Sequence, residues 1–187
     1  VRPAPEGTSG RPQRGRRFAV FDEDGAPVQR GKPGELAVDK GDIGLMLGYL
    51  DAPEETAARF TGDWFRTGDM VSMGEDDAVT YLGRADDMLN AGGYRVSPLE
   101  VEAALLEHPG IQEVACAEVT VKADTTVIAA FYSGASPLAD DALSDFAAER
   151  LARYKCPRLF VHRAELPRSG NGKLNRKALR SWRPSES

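Results

Sequence analysis

From position 84 to position 100 the chain reads Arg-Ala-Asp-Asp-Met-Leu-Asn-Ala-Gly-Gly-Tyr-Arg-Val-Ser-Pro-Leu-Glu. A cation, two adjacent carboxylates, a glycine pair and a helix start do not suit the interior of a core strand or helix. They suit a joint between folded units that also carries charged ligand contacts. Patterning on the two sides of this joint differs, and that difference constrains the fold more than any other feature.

Before the joint, short strand candidates alternate with turn signals. Residues 18–21 run into Asp24-Gly25, residues 34–38 follow Pro33, and residues 79–82 form a third. Residues 1–15 read as irregular. A helix is predicted between Pro53 and Phe60, capped by Asp51 with Glu54 at capping-box spacing and stopped by Gly62. After the joint, Ser97-Pro98-Leu99-Glu100 opens a helix with Ser as N-cap, Pro in the first turn and Glu at the third position. Val101, Ala104, Leu105 and His108 supply its apolar face, and Pro109-Gly110 ends it. Strands are predicted at 114–121, 125–132 and 159–161. A further helix starts near Ser136-Pro137 and buries Ala139, Leu143, Phe146, Ala147 and Leu151; a last one covers 177–182. The expected fold class is α+β: a small β-rich unit over residues 1–85 and a compact α+β domain over 86–187.

Composition excludes several function classes. No apolar run approaches the ~20 residues needed to cross a bilayer, and the Pro-, Gly- and Arg-rich start lacks a signal pattern. Cys116 and Cys156 lie beside no His or Cys partner, so both read as buried free thiols of a cytoplasmic protein. A net charge of -5 argues against nonspecific nucleic-acid binding. Between Arg150 and Arg183, however, Glu165 is the only acid among many cations. That run is either a solvated basic face or a surface turned toward an anionic ligand. No metal-ligand spacing and no Gly-x-Ser-x-Gly occur, and His108 and His162 attract no role.

Three segments carry candidate chemistry. In Trp64-Phe-Arg-Thr-Gly-Asp69, Gly68 lets the backbone turn so that the Asp69 carboxylate points outward and can accept two hydroxyl hydrogen bonds; an Asx-type turn is the plainer alternative. Arg84 beside Asp86 and Asp87 reads either as a surface ion-pair cluster or as a ligand contact next to a hinge. Gly92-Gly93 allows close backbone approach to a ligand, or is simply a β-hairpin turn. Lys173, in Ser169-Gly-Asn-Gly-Lys173, sits on a permissive loop from which an ammonium can bridge two oxyanions. It is not a Walker loop, because Pro167 stands where the first Gly belongs and Leu174 where Ser or Thr belongs.

Together these segments resemble the AMP-forming acyl-CoA synthetases and their adenylate-forming relatives. Gly34-Glu35, Gly48-Tyr49-Leu50, Tyr154-Lys155-Cys-Pro157 and the Asn175, Arg176 and Leu179 that follow Lys173 fit the same pattern. The resemblance implies that residues 1–85 are the last, barrel-like part of a large domain and 86–187 the mobile C-terminal domain. Asp69 and Arg84 are then nucleotide contacts, Asp86 the hinge, Gly92, Gly93 and Tyr94 part of the CoA channel, and Lys173 catalytic. ATP, Mg2+ and CoA are the implied cofactors and a carboxylic acid, fatty or aromatic, the implied substrate. The phosphate loop, the acid pocket and most Mg2+ contacts of such enzymes belong to a larger N-terminal domain, expected to precede this chain and to be its partner. The expected activity is acid–CoA ligation through an acyl-adenylate, the isolated chain being inactive. A carrier-protein-loading adenylation domain and a noncatalytic truncated or split-enzyme module are the alternatives.

Overall fold

The computed structural model describes residues 3–122 and 125–183. It forms two compact units, Val1–Asp86 and Asp87–Ser187.

The first unit is built on one antiparallel sheet. Strands β1 (Phe18–Phe21), β2 (Pro33–Asp39) and β4 (Trp64–Met73) lie side by side; β3 (Phe60–Thr61) and β5 (Val79–Arg84) both pair with the far edge of β4. Val20, Val71 and Met73 form its core, with Phe18, Leu36 and Val79 packed around them. Residues 1 and 2 of the irregular N-terminal stretch lie outside the described residues; the rest is turns and a single bridge from Gly10 to Val79.

Sequence patterning did not reveal β4 as one strand. The ladder shows why: between Glu35–Met70 and Ala37–Arg66, β2 advances 2 residues (35 to 37) while β4 advances 4 (66 to 70). Residues 67–69 therefore bulge out, the apolar alternation slips, and a second register shift follows against β5 between Met70 and Val71. Helix α1 also differs from expectation. It spans Pro53–Ala58, its N-cap is Ala52, and no side chain caps it. Asp51 sits one residue too early with a left-handed φ of 54°, and Thr56 Oγ1 ties the entry instead, accepting from Tyr49 N and donating to Ala52 O. Ala58 ends the helix well before Gly62, because Phe60 already pairs with Phe65 in the sheet.

In the second unit β6 (Leu89–Ala91) and β7 (Tyr94–Val96) form a hairpin that leads into α2 (Pro98–Leu106). The Ser97 hydroxyl accepts from Glu100 N at 3.3 Å, as its sequence predicts. The Glu100 carboxylate does not close the capping box; Lys155 Nζ takes it at 2.5 Å. A three-stranded sheet follows, β8 (Glu113–Lys122) antiparallel to β9 (Thr125–Ser133) and β9 parallel to β10 (Leu159–His162). Both faces are covered. Val114, Cys116, Ile128 and Ala130 pack with Val101 and Leu105 of α2 and with Leu143 and Ala147 of α3 (Asp140–Ala148). On the other face Ala115, Ala117, Ala129 and Phe131 pack with Leu179 of α4 (Arg176–Arg180). Strand alternation thus feeds two cores at once, which is what a sheet buried on both sides requires.

Three expectations shift here. Helix α3 starts at Asp140 rather than at Ser136-Pro137, because Leu138 N donates to the Tyr132 hydroxyl at 2.7 Å and holds that stretch extended. His108 falls outside α2 and receives the Gly110 N–H on Nδ1 at 3.1 Å. Cys116 is fully buried, and burial pushes its thiol well up, whereas Cys156 is only half-buried. No helix among the described residues is long and apolar enough to cross a membrane.

Candidate functional site

In the first unit the bulge of β4 is held from several directions. Glu35 of β2 accepts two bonds from Arg66, at 3.0 and 2.6 Å, and one from Gly68 N at 2.8 Å. Thr67 Oγ1 donates to Leu36 O at 2.8 Å and accepts from Asp69 N at 3.1 Å. Gly68 has φ 77°, and Arg84 lies across its open face. The Arg84 guanidinium donates to Thr67 O and to Asp69 Oδ1, both at 3.0 Å. Asp69 is therefore not engaged in an Asx turn. One carboxylate oxygen is committed to Arg84; the other has no partner among the described residues, on a side chain 35% exposed. Burial opposes the charge on Arg84, but the Asp69 hydrogen bond and charge outweigh it, so the guanidinium pKa is raised. The result is an anchored, half-exposed cation–carboxylate pair with acceptor capacity left over.

A Cβ at position 68 would stand 2.6 Å from Arg84 Nη2 at a backbone angle that L-residues avoid. Gly68→Ala is expected to destabilise the first unit by about 1–3 kcal/mol, measured by urea unfolding. It should also loosen the Asp69–Arg84 pair. An unchanged midpoint would show that the bulge is not so constrained.

Asp86 lies in the turn after β5, its side chain 80% exposed and 4.0 Å from Arg84 Nε. It is the last residue of the first unit. An exposed polar residue in a turn at that junction can change backbone angles without disturbing a core.

The second unit presents two further clusters. Gly92 and Gly93, with φ 60° and 89°, are the two-residue turn of the β6–β7 hairpin, which needs left-handed angles at both positions. Asn90 Oδ1 accepts from Gly93 N at 3.1 Å. Tyr94 is 61% exposed and its ring sits 4.9 Å from that of Tyr154. Lys173 occupies the second cluster, a tight turn closed by the Arg168–Leu174 bridge. Ser169 N and Oγ both bond Lys173 O, at 2.7 and 2.9 Å, and Arg168 Nη1 bonds Gly172 O at 3.1 Å. The backbone is well held, whereas the Lys173 side chain is exposed and meets no acid among the described residues. Its loop leads directly into α4, whose N-cap is Asn175.

Sequence reading missed what holds α4. Arg176 Nη2 bonds both oxygens of Glu102 at 2.7 Å, and Cys116 N bonds Glu102 Oε1 at 2.7 Å, deep against α2 and β8. Four residues on, Arg180 pairs with Asp87 at 2.6 Å. The only sequence signal was that Glu102 stands four positions after Pro98, on the buried side of α2. The basic run also proves heterogeneous. Arg150, Lys155, Arg168, Arg176 and Arg180 pair with Glu107, Glu100, Glu113, Glu102 and Asp87 respectively. Acids supplied by residues 87–113 therefore neutralise much of it. No group of three or more His, Cys, Asp or Glu among the described residues could hold a metal ion.

Comparison with known proteins yields a consistent set. Residues 100–173 match the model of the AMP-binding enzyme C-terminal domain. Benzoate–CoA ligase of Thauera aromatica is 36% identical over 181 residues, which cover 94% of this chain and 34% of the ligase. A dimodular nonribosomal peptide synthase of Bacillus subtilis is 39% identical over 169 residues, 86% of this chain and 7% of the synthase. Among solved structures, o-succinylbenzoate CoA synthetase from Bacillus subtilis, in complex with its acyl-adenylate intermediate, superimposes with a TM-score of 0.84 at 29% identity. The match covers 97% of this chain and 37% of that one. The chain spans about a third of the length of the benzoate ligase. Over residues 100–173 the chain matches the AMP-binding enzyme C-terminal domain, and over nearly its whole length, in sequence and in α+β architecture, it is similar to adenylate-forming CoA ligases.

Proposed function

We propose that this chain works as the C-terminal portion of an AMP-forming acid–CoA ligase, beside a larger domain that holds ATP, Mg2+ and the acid. The reaction has two steps. The carboxylate attacks the α-phosphorus of ATP and pyrophosphate leaves; the CoA thiol then attacks the acyl carbonyl, loses its proton, and AMP leaves. In the first step two anions must approach each other, which is opposed by several kcal/mol of Coulomb repulsion at the dielectric of a partly buried site. An ammonium placed between them offsets that cost without proton transfer. Lys173 is the residue for this role, and the observation that carries the reading is its exposed, acid-free side chain on a hydrogen-bonded turn. Asp69 would accept from ribose hydroxyls through its uncommitted oxygen while Arg84 faces the nucleotide. Gly92, Gly93 and Tyr94 would line the path of the thiol arm.

Lys173 and the glycine hairpin serve different steps, so the two must take turns, and Asp86 is proposed as the pivot between residues 1–85 and 86–187. Ile43, Leu47 and Leu50, almost wholly exposed in the first unit, are consistent with a larger domain packed there. Two free cysteines fit a cytoplasmic setting. The likeness to a nonribosomal peptide synthase supports a second reading, in which the thiol belongs to a carrier protein.

Proline at position 86 fixes φ and should hinder the pivot. With the larger domain present, Asp86→Pro is expected to slow one half-reaction at least tenfold more than the other. Pyrophosphate exchange reports adenylation, and thioester formation from supplied acyl-adenylate reports the second step; equal slowing of both would remove Asp86 from this role. Offering CoA and a carrier protein to the wild-type enzyme separates the two readings of the acceptor. Absence of both acid-dependent pyrophosphate exchange and thioester would overturn the proposal.

A further inference from the structure

The chain has three asparagines, Asn90, Asn171 and Asn175, and the fold treats them differently. Asn90 stands in β6 opposite Arg95, and its backbone N–H is held by the Glu118 carboxylate. Asn175 caps α4 with Oδ1 on Ala178 N at 3.1 Å, and Arg176 follows it into the helix. Asn171 belongs to neither strand nor helix. It is exposed, lies in the turn between Arg168 and Leu174, and is followed by Gly172 with φ 79°. A Cβ built at position 172 would meet nothing within 4 Å, so the backbone nitrogen after Asn171 is sterically open.

An asparagine in that setting can be attacked by its own chain. The Gly172 nitrogen loses its proton to hydroxide and bonds to Asn171 Cγ. The Cγ–Nδ2 bond breaks, the departing nitrogen takes a proton from water to leave as ammonia, and a five-membered imide remains. Water then opens the ring at either carbonyl, giving aspartate or isoaspartate; the net change is water taken up and ammonia released. Two features of the turn favour the attack. Asn171 Oδ1 faces the Ser169 hydroxyl at 2.6 Å and the Lys173 N–H at 3.3 Å, donors for the negative charge that gathers on this oxygen. The adjoining Lys173 adds a positive charge that favours loss of the nitrogen's proton. One hydrogen bond opposes it, since Gly172 N donates to Ser169 O at 2.8 Å and must let go first. Gly170, Asn171 and Gly172 are all exposed, so water can take over that bond when the turn opens locally.

We propose that Asn171 is a self-modification site whose deamidation turns down the adenylation step assigned to Lys173. The site needs only the turn; its consequence rests on the Lys173 reading above. Aspartate puts a carboxylate two residues before Lys173, where it competes with substrate anions for the ammonium. Isoaspartate does more, because the chain then runs through Cβ and Cγ and gains one backbone atom between Ser169 and Lys173. That draws Lys173 O away from the Ser169 N and Oγ that hold it at 2.7 and 2.9 Å. Asn171→Asp should slow adenylation about twofold to fivefold, the fold-change an exposed ion pair is worth. Isoaspartate should slow it about tenfold or more, since misplacement on the order of 1 Å costs up to ~10²-fold. Thioester formation from supplied acyl-adenylate should not change.

Incubating the 187-residue chain in mildly alkaline buffer, then mapping tryptic peptides by mass, tests the site. The peptide spanning 169–173 is expected to gain the mass of a hydroxyl over an amino group and to split into two species. One of them should be a substrate for protein isoaspartate methyltransferase, while the peptides holding Asn90 and Asn175 stay as they were. An unchanged 169–173 peptide, or equal change at all three asparagines, would overturn the site. In the enzyme with its larger domain, adenylation should decay in step with isoaspartate, and Asn171→Ser, with no amide to lose, should keep its own starting rate. Equal decay in Asn171→Ser would overturn the consequence. So would modified enzyme that adenylates at the unmodified rate while Lys173→Ala is slow. If Lys173→Ala adenylates normally as well, the Lys173 reading falls and takes the consequence with it, and the mass map still decides the site.

Discussion

Lys173→Ala is expected to cut acyl-adenylate formation by about 10²–10³-fold, the ~3–4 kcal/mol of barrier that one well-placed charge donor supplies, while thioester formation from supplied acyl-adenylate stays near wild type. The asymmetry follows from where charge collects. Only the first step brings a carboxylate against a polyphosphate; in the second a thiol meets an already activated carbonyl. Lys173 projects from a turn whose hydrogen bonds use backbone and the Ser169, Asn171 and Arg168 side chains, so truncating it leaves the turn intact. Lys173→Arg should recover only part of the loss, because a planar fork replaces a compact ammonium. Pyrophosphate exchange and single-turnover thioester assays on the enzyme with its larger domain give the two rates. Equal loss in both would mean that Lys173 supports folding or domain contact rather than adenylation.

Glu102→Ala is expected to destabilise the second unit by about 3–5 kcal/mol, the cost of breaking a buried ion pair by removing one partner. The substitution strands the Arg176 guanidinium, only 14% exposed, and deprives Cys116 N of its acceptor. Burial pushes the Glu102 carboxyl above its ordinary value, while the Cys116 N–H and Arg176 pull it back. A carboxyl raised on folding binds its proton more readily in the folded chain. Its contribution to stability is therefore greatest at low pH and declines as pH rises from the ordinary value through the raised one. Glu102→Gln should cost less than Ala and remove that decline. The paired change Glu102→Met/Arg176→Leu should recover much of the loss, since a well-packed apolar pair often equals a buried salt bridge. Urea unfolding of the 187-residue chain measures all three; a midpoint shift under ~1 kcal/mol for Ala would show that α4 is held by Leu179 and its neighbours instead.

This ion pair also bears on the lysine. It fastens α4, the helix into which the Lys173 loop runs, to α2 and β8, while Arg180 fastens the same helix to Asp87. The loop and the first residue of the second unit are thus tied to one short helix.

Local signals were legible where the backbone states its needs within a few residues. Ser97-Pro98 at a helix entry and paired glycines at a hairpin turn depend on nearest neighbours, and both stand where they were read. The candidate ligand residues were legible for the same reason, each lying in a short polar segment that no core would choose. What escaped was non-local. Asp51 read as a cap, but it sits one residue before the true N-cap with a left-handed φ; β4 was not read as a strand, because its bulge exists only against β2 and β5. Glu102 looked like any helical carboxylate until Arg176, 74 residues later, closed on it. Likewise no inspection of residues 150–183 separates the neutralised cations from Arg153, Arg158 and Lys173, since the acids that decide it lie earlier in the chain. The sequence alone therefore determined the Ser97 cap, the Gly92–Gly93 turn and the identity of the charged groups, because those are short-range choices. Tertiary structure alone decided which charges meet, since pairing depends on distances that only the closed chain sets.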